Sequence, residues 1–242
     1  MVAYEVTIPV EIMAGQASTV TFTGRSPRWS DLRPEFVRGN AVFVPSLVVH
    51  HTRAVHDEAA YVWKGRKLLE TKPRRAIRQG CIYLAAESPH KDEYSKCTGT
   101  PLGPLRNRET RKRILENLPR LIEKSEARLK IRLDDVDVVL GNPIQYQTSL
   151  QSLLRQPHTG LRKGIRDAVW RNLFRDQRLR DDFERRIRAC EPALMILATT
   201  SGVREDLREF ALTLGVRIVE VHKHPCVWSK TTDLAPAIEA TA

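Results

Sequence analysis

An α/β fold is predicted for this 242-residue chain: a three-layer sandwich on a central, mainly parallel four-stranded sheet with helices on both faces. Two observations predict it. From residue 78 onward, short apolar runs alternate with amphipathic helical stretches, the pattern of parallel strands joined by crossover helices. Before residue 78 the alternation is strand-like and no such helix intervenes, which divides the chain into a β-containing extension over 1–77 and an α/β domain over 78–242.

The elements follow in order. Residues 4–12 alternate apolar and polar like a half-buried strand, and 41–49 form a second apolar run that Pro45 interrupts. Residues 24–39, with Pro27 and Pro34 between two glycines, read as a loop, and 64–78 as a basic run preceding the next strand. Residues 81–86 are a buried strand that breaks at Pro89. Residues 107–130 place Ile114, Leu115, Leu118, Leu121 and Ile122 at helical spacing, and Pro119 is expected to kink or divide that helix. A second strand covers 136–142, followed by a long charged helix over 164–189 with Val169, Leu173, Phe174, Phe183 and Ile187 on its apolar side. A third strand over 193–199, a helix over 204–214 and a fourth strand over 216–222 complete the domain.

Composition narrows the partners. Lys and Arg number 40 against 29 Asp and Glu, a net charge of +11 that favours a polyanion through counterion release, although the same charge serves a merely well-solvated protein. No apolar stretch has bilayer-spanning length, and no basic-then-apolar leader pattern opens the chain, so a cytoplasmic protein without membrane contact is expected. The four cysteines, Cys81, Cys97, Cys190 and Cys226, form no Cys-x-x-Cys pair, so neither a metal site nor an iron–sulfur cluster is expected, nor any other cofactor.

In a parallel sheet, ligands bind outside the carboxyl ends of the strands. Three polar or proline-bearing segments occupy those ends: Glu87-Ser88-Pro89-His90, Asn142-Pro143-Ile144-Gln145 and His224-Pro225-Cys226. They should converge on one crevice. Over about 78–230 these segments, in this order, resemble the uracil-DNA glycosylase superfamily. Ala86-Glu87-Ser88-Pro89-His90 is similar to its first motif. Asp92-Glu93 and then Gly99-Thr100-Pro101-Leu102-Gly103 are similar to the continuation in the iron–sulfur branch, though the cluster cysteines are missing. Val138-Val139-Leu140-Gly141-Asn142 resembles the strand that ends in a base-reading asparagine, and His224-Pro225-Cys226-Val227-Trp228-Ser229 the last motif.

The resemblance implies base flipping, then cleavage of the N-glycosidic bond through a transition state positive on the sugar and negative on the departing base. Glu87 would stabilise the sugar cation or orient water, with Ser88 where many relatives carry an acid or amide and Glu93 in reserve. His224 would donate to the developing oxyanion. Asn142 would read the base edge, against the plainer role of a turn former. Trp228 would enter the gap left by the base, against the plainer role of a packed core residue. Lys223, Ser229, Lys230 and the turn bearing Ser201 would meet phosphates.

Two departures point away from plain uracil. Leu102 stands where the family stacks an aromatic on the base, and His90 where a tyrosine excludes C5 substituents. A modified or damaged pyrimidine in DNA, expected to be double-stranded, is therefore the expected substrate, glucosylated hydroxymethylcytosine of phage DNA among the candidates. A uracil-repair enzyme, a lesion-binding protein without turnover, and a nucleoside or nucleotide hydrolase of the same fold are the rival readings. Oligomeric state is open.

Overall fold

A computed structural model of the chain describes five strand segments between residues 3 and 48, then residues 54–95, 98, 100–145, 167, 170–171, 173–221 and 223–234. In the first segment, β1 (Ala3–Met13) pairs antiparallel with β2 (Gln16–Arg25). It also pairs in parallel with β4 (Ala41–Phe43) and β5 (Leu47–Val48), and β3 (Val37–Arg38) pairs with β4. Within the run over 41–49 the described residues form two short strands, β4 and β5; Pro45 lies outside the described residues. Most of the loop expected over 24–39 lies outside the described residues.

The second sheet has six strands, not the expected four. They are β6 (Glu58–Lys64), β7 (Lys67–Arg74), β8 (Ile82–Ala85), β9 (Val136–Gly141), β10 (Leu194–Leu197) and β11 (Ile218–Glu220), in the spatial order β11-β10-β8-β9-β6-β7. Strands β9, β8, β10 and β11 run parallel, while β6 and β7 form an antiparallel hairpin on the β9 edge. The segment 58–74 is therefore hydrogen-bonded into this sheet. Its hairpin closes on Gly65 and Arg66, both at positive φ (53° and 59°), the backbone of a two-residue turn that matches strand twist. Arginine is an unusual residue for that conformation, so the turn is inconspicuous within a basic run. β7 ends the sheet with mostly exposed lysine, glutamate and Pro73, residues suited to an unpaired edge.

Alternation along β8 feeds two cores. Ile82 and Leu84 pack with Trp63, Leu194 and Ile196 under helix α1 (Arg108–Leu129), which contributes Ile114, Leu118, Leu121 and Ile122. Tyr83 and Ala85 face the opposite core, covered by helical residues around Trp170–Phe174, by α2 (Gln177–Cys190) and by α3 (Ser201–Thr213). There Trp170 stacks on Phe174 at 4.5 Å between ring centroids, and Phe210 meets Phe174 edge-on at 5.4 Å.

The two long helices differ from expectation in different ways. Of the two effects expected of Pro119, division does not occur: helix α1 runs on through it, with buried residues on both sides docking the same face. It is capped by Asn107, whose side chain accepts the N–H groups of Glu109 and Thr110. The helix expected over 164–189 is broken at Asp176, which leaves helical geometry and caps α2 by accepting the Arg178 N–H; Val169 lies outside the described residues. No helix among the described residues is long and apolar enough to cross a membrane.

Candidate active site at the carboxyl ends of the strands

From β8 the chain passes through α1 to β9 on one side; from β10 it passes through α3 to β11 on the other. Neighbouring strands whose connections leave in opposite directions open a crevice between their carboxyl ends. Register places the motif segments there: Ala85 is level with Gly141 and with Leu197, and the Ala86 and Ala198 N–H groups bond to Gly141 and Ala85 carbonyls. Glu87, Asn142 and Thr199–Thr200 thus emerge side by side from three strands.

Glu87 is buried, at 6% exposure. Its Oε2 accepts the Thr200 N–H at 3.3 Å, at the start of α3, where the helix dipole favours a carboxylate. Its carbonyl accepts the Trp170 indole N–H at 2.9 Å, so the aromatic core fixes the loop that carries it. Ser88 is half-buried. His90 is also half-buried and its Nδ1 lies 3.3 Å from Asp92.

Glu93 departs furthest from expectation. It is 3% exposed, and burial raises its carboxyl pKa to about 8, against the opposing pull of the His90 and Leu105 backbone N–H groups and the Asn142 amide. Burial thus favours the protonated carboxyl, whereas a reserve for Glu87 would act as the anion. The Glu93 Oε2 has no hydrogen-bond partner. Beside it Asn142 is completely buried, and both its Nδ2 and Oδ1 are unpaired. The amide is near enough to favour a negative Glu93, yet no hydrogen bond of good geometry joins them. Across β8, the buried Thr199 Oγ1 is also unpaired. A buried polar group without a partner costs about 1–3 kcal/mol, a cost that a ligand supplying partners removes.

A buried ionic network, not foreseen from the sequence, holds Asn142 from behind. Arg186 of α2 donates to the carbonyls of Asn142 (3.1 Å) and Pro143 (3.0 Å), and to Asp57 (2.6 Å). Asp57 also accepts from the Tyr83 hydroxyl (2.7 Å) and from Gln145 (3.3 Å). Burial alone would lower the Arg186 pKa; the negative charges of Asp57 and Asp182 beside it outweigh that and raise it. No short motif marks this network, because its members lie far apart in the chain and are joined only by folding.

The last motif is held by α1. Arg113 donates to the Trp228 carbonyl at 3.0 Å, and Arg120 to the carbonyls of Ser229 and Thr232. His224 Nδ1 accepts the Cys226 N–H at 3.3 Å, which puts the proton of a neutral ring on Nε2. The Cys226 sulfur, 3.2 Å from that Nδ1, is sheltered although the residue is exposed overall. Its thiol pKa is pushed up by burial and then by the negative charge of Glu87, which places this turn near Glu87.

Several expected DNA contacts are corrected or qualified. Trp228 is fully buried, its indole donating to the Lys223 carbonyl at 2.7 Å, so it is a core residue and not an intercalating wedge. The exposed apolar side chain of the turn is Val227, at 56%. Ser201 is exposed, but carboxylates already face this helix start: Glu87 at Thr200, and Asp167 packed against Gly202. A phosphate there would meet like charge. Lys223 and Lys230 are exposed, and Ser229 is half-buried with its hydroxyl 2.9 Å from Thr231. Leu102, 49% exposed, projects outward while its N–H bonds to the Glu93 carbonyl at 2.8 Å. Among the described residues, no group of three His, Cys, Asp or Glu side chains is arranged to hold a metal ion. A surface cavity of about 490 Å³, lined by Arg66, Glu126 and Arg132 among others, lies at the other end of the sheet, by the β6–β7 turn.

No model of a known protein family and no curated protein matches this chain.

Proposed function

We propose that this chain is a monofunctional DNA glycosylase that removes a modified or damaged pyrimidine and leaves an abasic site. The observation that carries the reading is the buried, unpaired Asn142 amide beside an unpaired carboxyl oxygen of Glu93, at the same strand ends as Glu87. An amide and a carboxyl kept dry and without partners suit the polar edge of a heterocycle. The net charge of +11 suits a DNA backbone better than a free nucleoside. In this reading β9, β8, β10 and β11 are the core of a glycosylase-type sandwich, and the β6–β7 hairpin is an addition to it.

Each group then has a task. As the C1′–N1 bond breaks, its electron pair passes to the base, and the Glu93 proton or the His224 Nε2–H meets the charge that develops there. Water adds its oxygen to C1′ and gives its proton to Glu87, whose carboxylate also faces the sugar cation. The Arg186 network keeps Asn142 in place, and the exposed Lys223 and Lys230 are left for phosphates.

The test uses labelled duplexes carrying uracil, thymine mismatches, hydroxymethylcytosine or glucosylated hydroxymethylcytosine, followed by alkali to cut at abasic sites. Cleavage of one class is expected, falling about 10²-fold or more in Glu87→Ala and in His224→Ala while DNA binding persists. Tight DNA binding without cleavage of any duplex would favour a lesion-binding protein instead.

A further inference from the structure

Arg204 lies almost wholly inside the protein, at 8% exposure, on the first turn of α3. A buried guanidinium is costly unless hydrogen bonds and opposite charges compensate it. Its Nη2 donates to the Thr199 carbonyl at 2.8 Å. Thr199 is fully buried and lies past the end of β10 and before α3, so its carbonyl belongs to neither the sheet ladder nor the helix ladder. Helical side chains lean toward the N-terminus of their helix, and that lean carries Arg204 back over this turn. The next residue, Thr200, stands at the N-cap position, but its side chain does not cap the helix. Its backbone N–H donates to Glu87 Oε2 at 3.3 Å. The Thr199 carbonyl and the Thr200 N–H are the two ends of one planar peptide group. Arg204 holds one end and Glu87 the other.

Taking Glu87 as the carboxylate of the base-excision reading, we propose that Arg204 is its positioning residue: through the rigid Thr199–Thr200 peptide, the buried guanidinium fixes where the Glu87 carboxylate stands and strengthens the N–H that holds it. A cation on the oxygen of a peptide polarises the group, and its N–H becomes a better donor to an anion.

The charges agree with the geometry. Burial pulls the Arg204 pKa down, and the carboxylates of Glu220 and Glu87 oppose that. Glu220 ends β11, level with Leu197 and so with Ala85 across the sheet. Arg208, one turn beyond Arg204, lies 3.5 Å from it. Arg204 is therefore flanked by two carboxylates, of which Glu220 already has a second cation. Attraction is mutual, so the guanidinium favours the anionic form of Glu87. The other ionisable groups about this carboxylate are Asp167, packed against Gly202, and Cys226 with His224 in the last turn. Of these groups, Arg204 is the one that stays cationic throughout the neutral range.

The experiment follows the Glu87 carboxyl by carbon NMR across a pH titration of glutamate-labelled protein, with the signal assigned by its loss in Glu87→Gln. Wild type, Arg204→Met and Arg204→Lys are compared, and single-turnover cleavage is measured on the duplexes named above. In Arg204→Met, Glu87 should hold its proton about 10-fold more tightly, and Arg204→Lys should return most of that change. On the duplex that wild type cleaves, Arg204→Met should slow cleavage about 10²-fold, the scale of a misplaced catalytic group. Binding to a non-cleavable 2′-fluoro duplex should stay the same, and the acidic limb of the rate profile should move up with Glu87. A purely structural role would lower the unfolding midpoint and leave the titration and that limb in place. An unmoved Glu87 titration in folded Arg204→Met overturns the proposal; if that variant still cleaves and Glu87→Ala does not, the glycosylase reading stands without it. A shifted titration with no cleavage of any duplex by wild type keeps the positioning and removes excision. Should Arg204→Met fail to fold, Glu220→Gln replaces it: Arg204, freed from its other carboxylate, should make Glu87 release its proton more readily, and an unmoved titration overturns the proposal.

Discussion

Replacing Glu93 by glutamine takes one ionisable group out of the interior while keeping its size and a polar end, and its effect on stability should depend on pH in one direction. The carboxyl pKa rises from the ordinary 4.5 to about 8 on folding, with burial as the main cause. Well below pH 4.5 it is neutral in both states and makes no difference. As pH rises, the unfolded chain ionises while the folded protein still holds the proton. Stability therefore falls, at up to about 1.4 kcal/mol per pH unit, until the folded group itself ionises near pH 8. Between about pH 5 and pH 8 the loss sums to about 3 kcal/mol. With a urea m-value of about 2–3 kcal/mol/M, it lowers the wild-type midpoint by about 1 M across that range. The assay is urea unfolding of wild type and Glu93→Gln at half-unit pH steps, read as the difference between their midpoints. Titrations shared by both proteins cancel in that difference, leaving a slope that belongs to Glu93. Parallel midpoints from pH 5 to pH 8 would show a carboxyl that ionises in the fold as readily as in water. The proton-donor role proposed for Glu93 would then be lost with it.

Other perturbations follow from the same contacts. A methyl group in Gly141→Ala would run into the Tyr83 hydroxyl and Asp57, which the network holds rigidly; a loss of about 1–3 kcal/mol is expected by chemical denaturation. Arg186→Ala leaves Asp57 buried without its cation and should cost about 3–5 kcal/mol, whereas Arg108→Ala on the first turn of α1 should cost little. Trp228→Ala should cost about 3–5 kcal/mol as a core cavity, while Val227→Ala, a truncation at an exposed position, should leave stability nearly unchanged. An intercalating tryptophan would give the opposite result, with normal stability and weakened DNA binding.

The periodic elements were legible in the sequence because periodicity records which face of an element is buried. The four parallel strands and the helices capped at Asn107 and over 201–213 are placed by apolar spacing and by the polar or proline residues that end each run. The same rule, that ligands meet a parallel sheet at its carboxyl ends, singled out Glu87, Asn142 and His224. Charge hid the β6–β7 hairpin: an edge strand with one exposed face carries lysine and glutamate, and its turn uses an arginine in a backbone conformation that no composition rule expects there.

What only the tertiary structure decided concerns environment. Trp228 and Val227 are adjacent, and the larger, more apolar-looking candidate for a DNA wedge is the one drawn inside, because its indole N–H finds the Lys223 carbonyl there. Glu93 and Glu87 are six residues apart and chemically identical; burial without a cation holds one neutral, while a helix N-terminus receives the other. The Asp57–Tyr83–Arg186 network joins residues up to 129 positions apart. A sequence fixes identity and local spacing, but the protonation of a group and the partners of a side chain depend on what the rest of the chain packs around them. For that reason the kind of site was readable along the chain, and the state of its acids was not.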